Sequence, residues 1–97
     1  MKWPKTVHEA AQRALGEMDD AKKQRLASLT EHDLIEQEHF GIGLWVRNTF
    51  GLADGSNHVL LEDCAKTLHP NQKHATVMFH PDDASSVILA HIWKQLN

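Results

Sequence analysis

Apolar residues recur along this chain at intervals of three and four, the spacing that gathers side chains on one face of a helix. Val7, Ala10, Ala11, Ala14, Leu15 and Met18 make the first such face, which predicts a helix over about residues 7–15. Its start is written as Thr6-Val7-His8-Glu9, a capping box. The Thr6 hydroxyl accepts an orphan helix N–H, and Glu9 reaches back to Thr6. The narrow alanine face lets a neighbouring helix approach closely, and Gly16 is the expected terminator. Trp3 and Pro4, just ahead of the cap, read as an apolar anchor for the N-terminal segment.

Asp19-Asp20 supplies the next helix start, with Lys22, Lys23 and Arg25 further along and Leu26 and Leu29 on the buried face. Thr30-Glu31-His32-Asp33 is the third start. From there Leu34, Ile35, Ile42, Trp45, Val46, Thr49 and Phe50 describe one long amphipathic segment. It closes at Phe50-Gly51-Leu52, where Gly51 takes the left-handed cap position. Gly41 and Gly43 interrupt that segment, and two readings compete. Either the helix breaks near residue 40, or the glycines form a flat patch for another helix or an aromatic ring. Packing or a kink is favoured over a ligand loop, because Gly-Ile-Gly lacks a third glycine and a preceding strand.

Asp54-Gly55-Ser56-Asn57 is a turn cluster, followed by a short helix over about residues 57–68 carrying Val59, Leu60, Leu61, Cys64 and Leu68. Residues 69–79 read as an irregular loop whose apolar end, Val77-Met78-Phe79, plugs into the core. The last helix opens at His80-Pro81-Asp82-Asp83, with proline at a favoured first-turn position and acids complementing the dipole. Ala84, Val87, Ile88, His91 and Ile92 form its stripe, widened by Leu89, Trp93 and Leu96, which makes it central to the packing. The expected fold is all-α: a compact bundle of four to five helices in a single domain spanning residues 1–97.

Composition narrows the picture. At 41% hydrophobic and 24% charged residues, the chain has what a packed core needs, so disorder is a poor reading. No apolar run approaches the ~20 residues that cross a bilayer, and the start lacks the apolar stretch of a secretion signal. Cys64 is the sole cysteine, so no internal disulfide can form and a cytoplasmic, reducing location is expected. Residues 1–30 carry six Lys/Arg against four acids, whereas residues 31–63 carry seven acids against Arg47 alone. That acidic middle argues against direct nucleic-acid binding and is compatible with a basic protein partner or a cationic ligand. Its plainer meaning is a solvated acidic face. With eight histidines, the formal charge would swing from −3 to +5 on acidification, which makes pH-dependent association conceivable.

Catalytic and metal signatures are weak. Glu36-Gln37-Glu38-His39 contains Glu-x-x-His, but di-iron bundles use two such motifs and a zinc protease needs His-Glu-x-x-His. A solvated helix face accounts for it better, so neither metal nor cofactor is expected. Cys64 falls on an apolar face, and Ser85 and Ser86 sit in a first turn where serines commonly cap. Arg47 stands out, as the single Lys or Arg between residues 26 and 65, with Trp45, Val46 and Phe50 around it in sequence. It must snorkel to solvent or pair with a carboxylate such as Asp82 or Asp83. His39 lies two helical turns earlier on roughly the same side. The candidate site is therefore His39, Trp45, Arg47, Asn48, His80, Asp82 and Asp83. It is either an ion pair that docks the last helix onto the long one, or a polar groove for a ligand or partner.

Three blocks carry a resemblance: Trp3-Pro4-x-Thr6-Val7, then His39-Phe40-Gly41-x-Gly43-x-Trp45-x-Arg47-Asn48-x-Phe50-Gly51-Leu52, then His80-Pro81-Asp82-Asp83-Ala84-Ser85-x-Val87-Ile88. With them the chain resembles a family of short bacterial domains of unknown function, and the stretch at 66–79 departs from the pattern. The resemblance implies a bacterial or phage origin and a compact helical fold, and no chemistry. The expected function is a small non-enzymatic module that binds another protein, in versions such as an inhibitor, an immunity protein or a phage-encoded blocker of host defence. The alternative is a small-molecule or anion binder, or a small enzyme, using His39, Arg47, Asn48, Asp82 and Asp83. Helix-turn-helix DNA binding is dismissed, because no helix carries clustered Arg/Lys with Asn/Gln on one face.

Overall fold

Side-chain caps fix where the helices begin. The computed structural model describes residues 2–71 and 79–97. It contains α1 (Val7–Gly16), α2 (Asp20–Ala27), α3 (Glu31–Glu38), α4 (Ile42–Thr49), α5 (His58–Leu68) and α6 (Pro81–Leu96). Thr6 Oγ1 accepts from the Glu9 amide at 3.1 Å, Asp19 Oδ1 from Lys22 at 2.8 Å and Thr30 Oγ1 from Asp33 at 3.1 Å. The capping box at Thr6 closes one residue early: the Glu9 carboxylate accepts from the Lys5 amide at 3.2 Å. Gly16 does not terminate α1 by a left-handed turn. It stays in the last helical turn, and the Glu17 and Met18 amides bond back to Ala14 and Leu15 before Asp19 starts α2.

The long amphipathic segment is two helices, which raises the count to six among the described residues. The break falls at Gly41, whose backbone (φ −96°, ψ −100°) lies outside the helical well. Glu38 folds over this glycine so closely that an added Cβ would sit 2.7 Å from Oε1. That oxygen faces the Ile42 amide at 3.4 Å, while Oε2 pairs with Arg25 at 3.3 Å. A carboxylate from the end of α3 thus stands at the positive N-terminus of α4, where no residue of α4's own entry supplies a side-chain cap. Gly43 instead follows the packing reading. A Cβ there would meet the Glu38 carbonyl at 3.1 Å, Arg47 Nη1 at 3.2 Å and Leu89 at 3.5 Å.

Helix α6 touches all five other helices. Ala84, Ser85, Ile88, Leu89 and Ile92 are buried along it, and Ala10, Ala11 and Ala14 of α1 lie in the same core. The remaining core includes Leu26, Leu34, Val46, Leu52, Leu60 and Cys64. The radius of gyration, 12.7 Å, matches the ~12.5 Å of a compact chain of this length. Phe79 is buried in the core. The rest of the apolar plug expected at the end of 69–79, Val77 and Met78, lies outside the described residues. Among the described residues there is no strand, and no helix is long and apolar enough to cross a membrane.

The N-terminal segment is tied down by one buried amide. Asn57 Nδ2 donates to the carbonyls of Pro4 (3.0 Å) and Phe50 (2.8 Å), and Oδ1 caps α5 through the Leu60 amide (3.2 Å). Gly51, with φ +74°, adopts the left-handed conformation at the end of α4, and the Leu52 amide bonds back to the Arg47 carbonyl at 3.0 Å. The Trp3 indole lies against that turn: a Cβ on Gly51 would be 2.7 Å from the ring.

Candidate functional site

Arg47 comes from the last turn of α4 and is 6% exposed. The missing side chain at Gly43, one helical turn earlier, leaves the space its guanidinium occupies. Each of its three nitrogens has a partner. Nη1 donates to Ser85 Oγ at 2.7 Å, Nη2 donates to the His39 carbonyl at 3.1 Å, and Nε lies 3.4 Å from Asp82 Oδ1. The Ser85 hydroxyl in turn donates to the Asp82 carbonyl at 2.9 Å. The first turn of α6 is therefore held to the end of α4 through one arginine, and nothing in the cluster is buried without a partner.

Two imidazoles border this junction. His80 Nδ1 accepts the Asp82 amide at 3.0 Å and so caps α6. A nitrogen that accepts this proton carries none itself, so its 3.8 Å approach to Asp82 Oδ2 is not a salt bridge. His39 Nε2 stands 3.9 Å from the same oxygen, beyond hydrogen-bond reach. Of the seven residues expected at a site, His39, Arg47, His80 and Asp82 come together here. Asn48 and Asp83 are exposed and make no side-chain hydrogen bond or ion pair among the described residues. Ser85 is the member the sequence reading assigned elsewhere, as a simple first-turn capping residue. Its signal was present: Ser85, Ile88, Leu89 and Ile92 share the i, i+3, i+4, i+7 stripe that α6 buries.

Trp45 belongs to a second place. It stands edge-on to Phe50, with ring centroids 5.3 Å apart, and lines a cleft of about 600 Å³ between α4 and the end of α1. Trp3, Thr49, Phe50, Arg13 and Glu17 complete most of its wall. A smaller hollow of about 340 Å³ is lined by Met18, Lys22 and Gly41 and shares Trp45 and Glu17 with the cleft. Trp3 and Trp45 are 45% and 38% exposed. Arg13 donates to the Lys2 carbonyl and pairs with Glu9 at 3.4 Å.

Other reactive groups are quiet. Burial, reinforced by the neighbouring Asp63 charge, pushes the Cys64 thiol up to about 12, so at neutral pH it is a buried thiol with no thiolate character. Among the described residues no three His, Cys, Asp or Glu side chains gather as a metal cluster.

Fold and junction together define a small all-helical domain whose last helix is fastened by a buried arginine. Residues 3–96 match the model of a family described as a domain of unknown function, DUF6794, and the chain belongs to that family. No curated protein and no solved structure matches the chain.

Proposed function

We propose that this protein is a protein-binding module, and that its partner seats an apolar side chain from an acidic segment in the cleft between Trp3 and Trp45. The observation that carries the reading is the pair of exposed tryptophans, Trp3 and Trp45, that line one cleft. A chain this small needs its apolar area for its own core, and contiguous exposed aromatics mark interaction surfaces. Tryptophan is also the side chain most often found at the energetic centre of an interface. Charge selects the partner: Lys2 and Lys22 flank the cleft and hollow with no ion-pair partner among the described residues, against Glu17 alone, since Arg13 is shared with Glu9. A basic partner, the expectation from the acidic middle of the chain, would use the α3 face instead. For the anion-binding alternative, the geometry offers little support, because every nitrogen of Arg47 is already engaged by the protein.

Photo-crosslinking in the native host tests this. The crosslinking residue p-benzoyl-phenylalanine replaces Thr49 in the cleft or, separately, Gln37 on the exposed acidic face of α3. The expected result is a discrete adduct from position 49, whose crosslinked peptide is acidic and apolar, and whose yield collapses in Trp45→Ala. The identity of that protein then decides between inhibitor, immunity and other binding roles. An adduct from position 37 alone transfers the function to the acidic face. An adduct of twice the chain's mass replaces the foreign partner with a second copy, and no adduct from either position overturns the module reading.

A further inference from the structure

Apart from the residues that line the cleft, helices α1 and α6 carry a pair of facing histidines. His8 Nδ1 and His91 Nε2 are 3.2 Å apart, and their rings stand perpendicular with centroids separated by 5.4 Å. One turn further along each helix, Gln12 Nε2 donates to Gln95 Oε1 at 3.2 Å, and Gln95 Nε2 lies 3.4 Å from His91 Nε2. His8 is exposed and His91 half-buried, so solvent reaches the pair. Nothing in the cleft or the Arg47 junction uses these residues.

We propose that His8 and His91 form a two-imidazole chelate for a divalent transition-metal ion of the zinc, nickel and copper class. Bite distance is the argument. Two nitrogens each 2.0–2.1 Å from one tetrahedral ion lie roughly 3.3 Å apart, and two at right angles around an octahedral ion lie roughly 2.9 Å apart. The observed 3.2 Å falls between them, and it joins residues on two helices whose packing is already set by the alanine face of α1. Imidazole is a ligand for zinc, nickel and copper and a poor one for magnesium or calcium, which fixes the class of ion. With two protein ligands, water completes the coordination. The site is therefore exchangeable, and a bound ion would cross-brace α1 to α6.

Calorimetric titration of the untagged protein with zinc chloride and nickel chloride, alongside magnesium chloride, measures the site. The expected result is saturable binding of one zinc or nickel ion per chain, no magnesium binding, and a raised melting temperature in the presence of the bound metal. His8→Gln keeps a polar side chain at an exposed position and should weaken binding about tenfold or more, with the unliganded melting temperature nearly unchanged. His91→Gln should do the same to binding. His32→Gln is a control, because His32 Nε2 lies 3.3 Å from Glu36 Oε1 on α3, an exposed imidazole–carboxylate pair away from His8 and His91. Loss of binding in His32→Gln with retention in His8→Gln overturns the proposal, as does the absence of saturable binding in the parent chain. This outcome is independent of the crosslinking result at the cleft.

Discussion

Removing the hydroxyl of Ser85 should destabilise the protein more than removing the charge of Asp82, although Asp82 is the counter-ion of Arg47. The ordering follows from burial. Ser85 is 0% exposed and accepts from Nη1 at 2.7 Å, so Ser85→Ala leaves one N–H of a buried guanidinium facing a methyl group. A buried donor left without an acceptor costs about 1–3 kcal/mol, towards the upper end when the donor is charged. About 2 kcal/mol is the expected loss, with little added by the Asp82 carbonyl, which keeps the Ser86 hydroxyl as a donor at 3.1 Å. Asp82, by contrast, has a side chain 50% exposed and 3.4 Å from Nε. Water and salt screen such a pair, and measured values for exposed pairs run to about 1 kcal/mol at most. Asp82→Asn also gives up a favourable charge in the first turn of α6, about 0.3–1 kcal/mol, while the new amide oxygen can still accept from Nε. About 1 kcal/mol in total is therefore expected.

Urea unfolding followed by circular dichroism gives both numbers, and melting curves repeat them as shifts of about 4–8 °C per kcal/mol for a domain of this size. Salt separates the two mechanisms. In 1 M sodium chloride the Debye length falls to about 3 Å, so the Asp82→Asn penalty should shrink while the Ser85→Ala penalty stays. If Asp82→Asn is the costlier change, or its penalty survives high salt, the junction is governed by the ion pair and the reasoning from burial is wrong. Arg47→Met adds the remaining comparison. It keeps the apolar stem and removes the charge, so it should cost less than Ser85→Ala, because no charged donor is then left buried.

Two further outcomes follow from buried groups elsewhere. Asn57→Asp keeps the oxygen that caps α5 but loses the N–H donors to the Pro4 and Phe50 carbonyls. It should cost about 2 kcal/mol or more in urea unfolding and release the N-terminal segment, read as a change in Trp3 emission; equal stability would show that the two carbonyls do not depend on this amide. Cys64 should resist thiol reagents in the native state and react at once in urea. Its folded pKa of about 12 lies above the ordinary 9.0, so its contribution to stability is present below pH 9 and is lost as pH rises from there. Between pH 8 and pH 10 the parent chain should lose about 1.4 kcal/mol more than Cys64→Ala, and parallel pH profiles for the two would refute this.

What was legible in the sequence, and what was not, divides by the range over which each residue acts. The caps at Thr6, Asp19 and Thr30 were readable because a cap bonds an amide only three residues away, and all three form as expected. Helix α6 was readable because its stripe is wide. The α3–α4 break was readable as one of two alternatives, and the two glycines turned out to take one alternative each. Gly41 breaks the helix because the Glu38 carboxylate lies over it, while Gly43 packs because Arg47 and Leu89 press against it. Local pattern cannot separate these cases, since the difference lies in what a neighbouring chain segment does with the empty space. The same limit explains the site. That Arg47 needs a carboxylate follows from one buried charge in an acidic stretch, and the partner proved to be Asp82 of the two acids weighed. The burial of Ser85 was legible from the α6 stripe, but its partner was not, because a buried serine declares its partner only when α6 is laid across α4. Trp45 was grouped with Arg47 by its nearness in sequence, yet on a helix residues two apart point about 200° apart in rotation. Arg47 faces the core and Trp45 faces solvent, so the same helix that fastens α6 on one side is left with an aromatic surface on the other. A domain that needed α4 only for stability would gain by burying that tryptophan, and its exposure beside Trp3 is the reason to look for a partner at the cleft and not at the arginine.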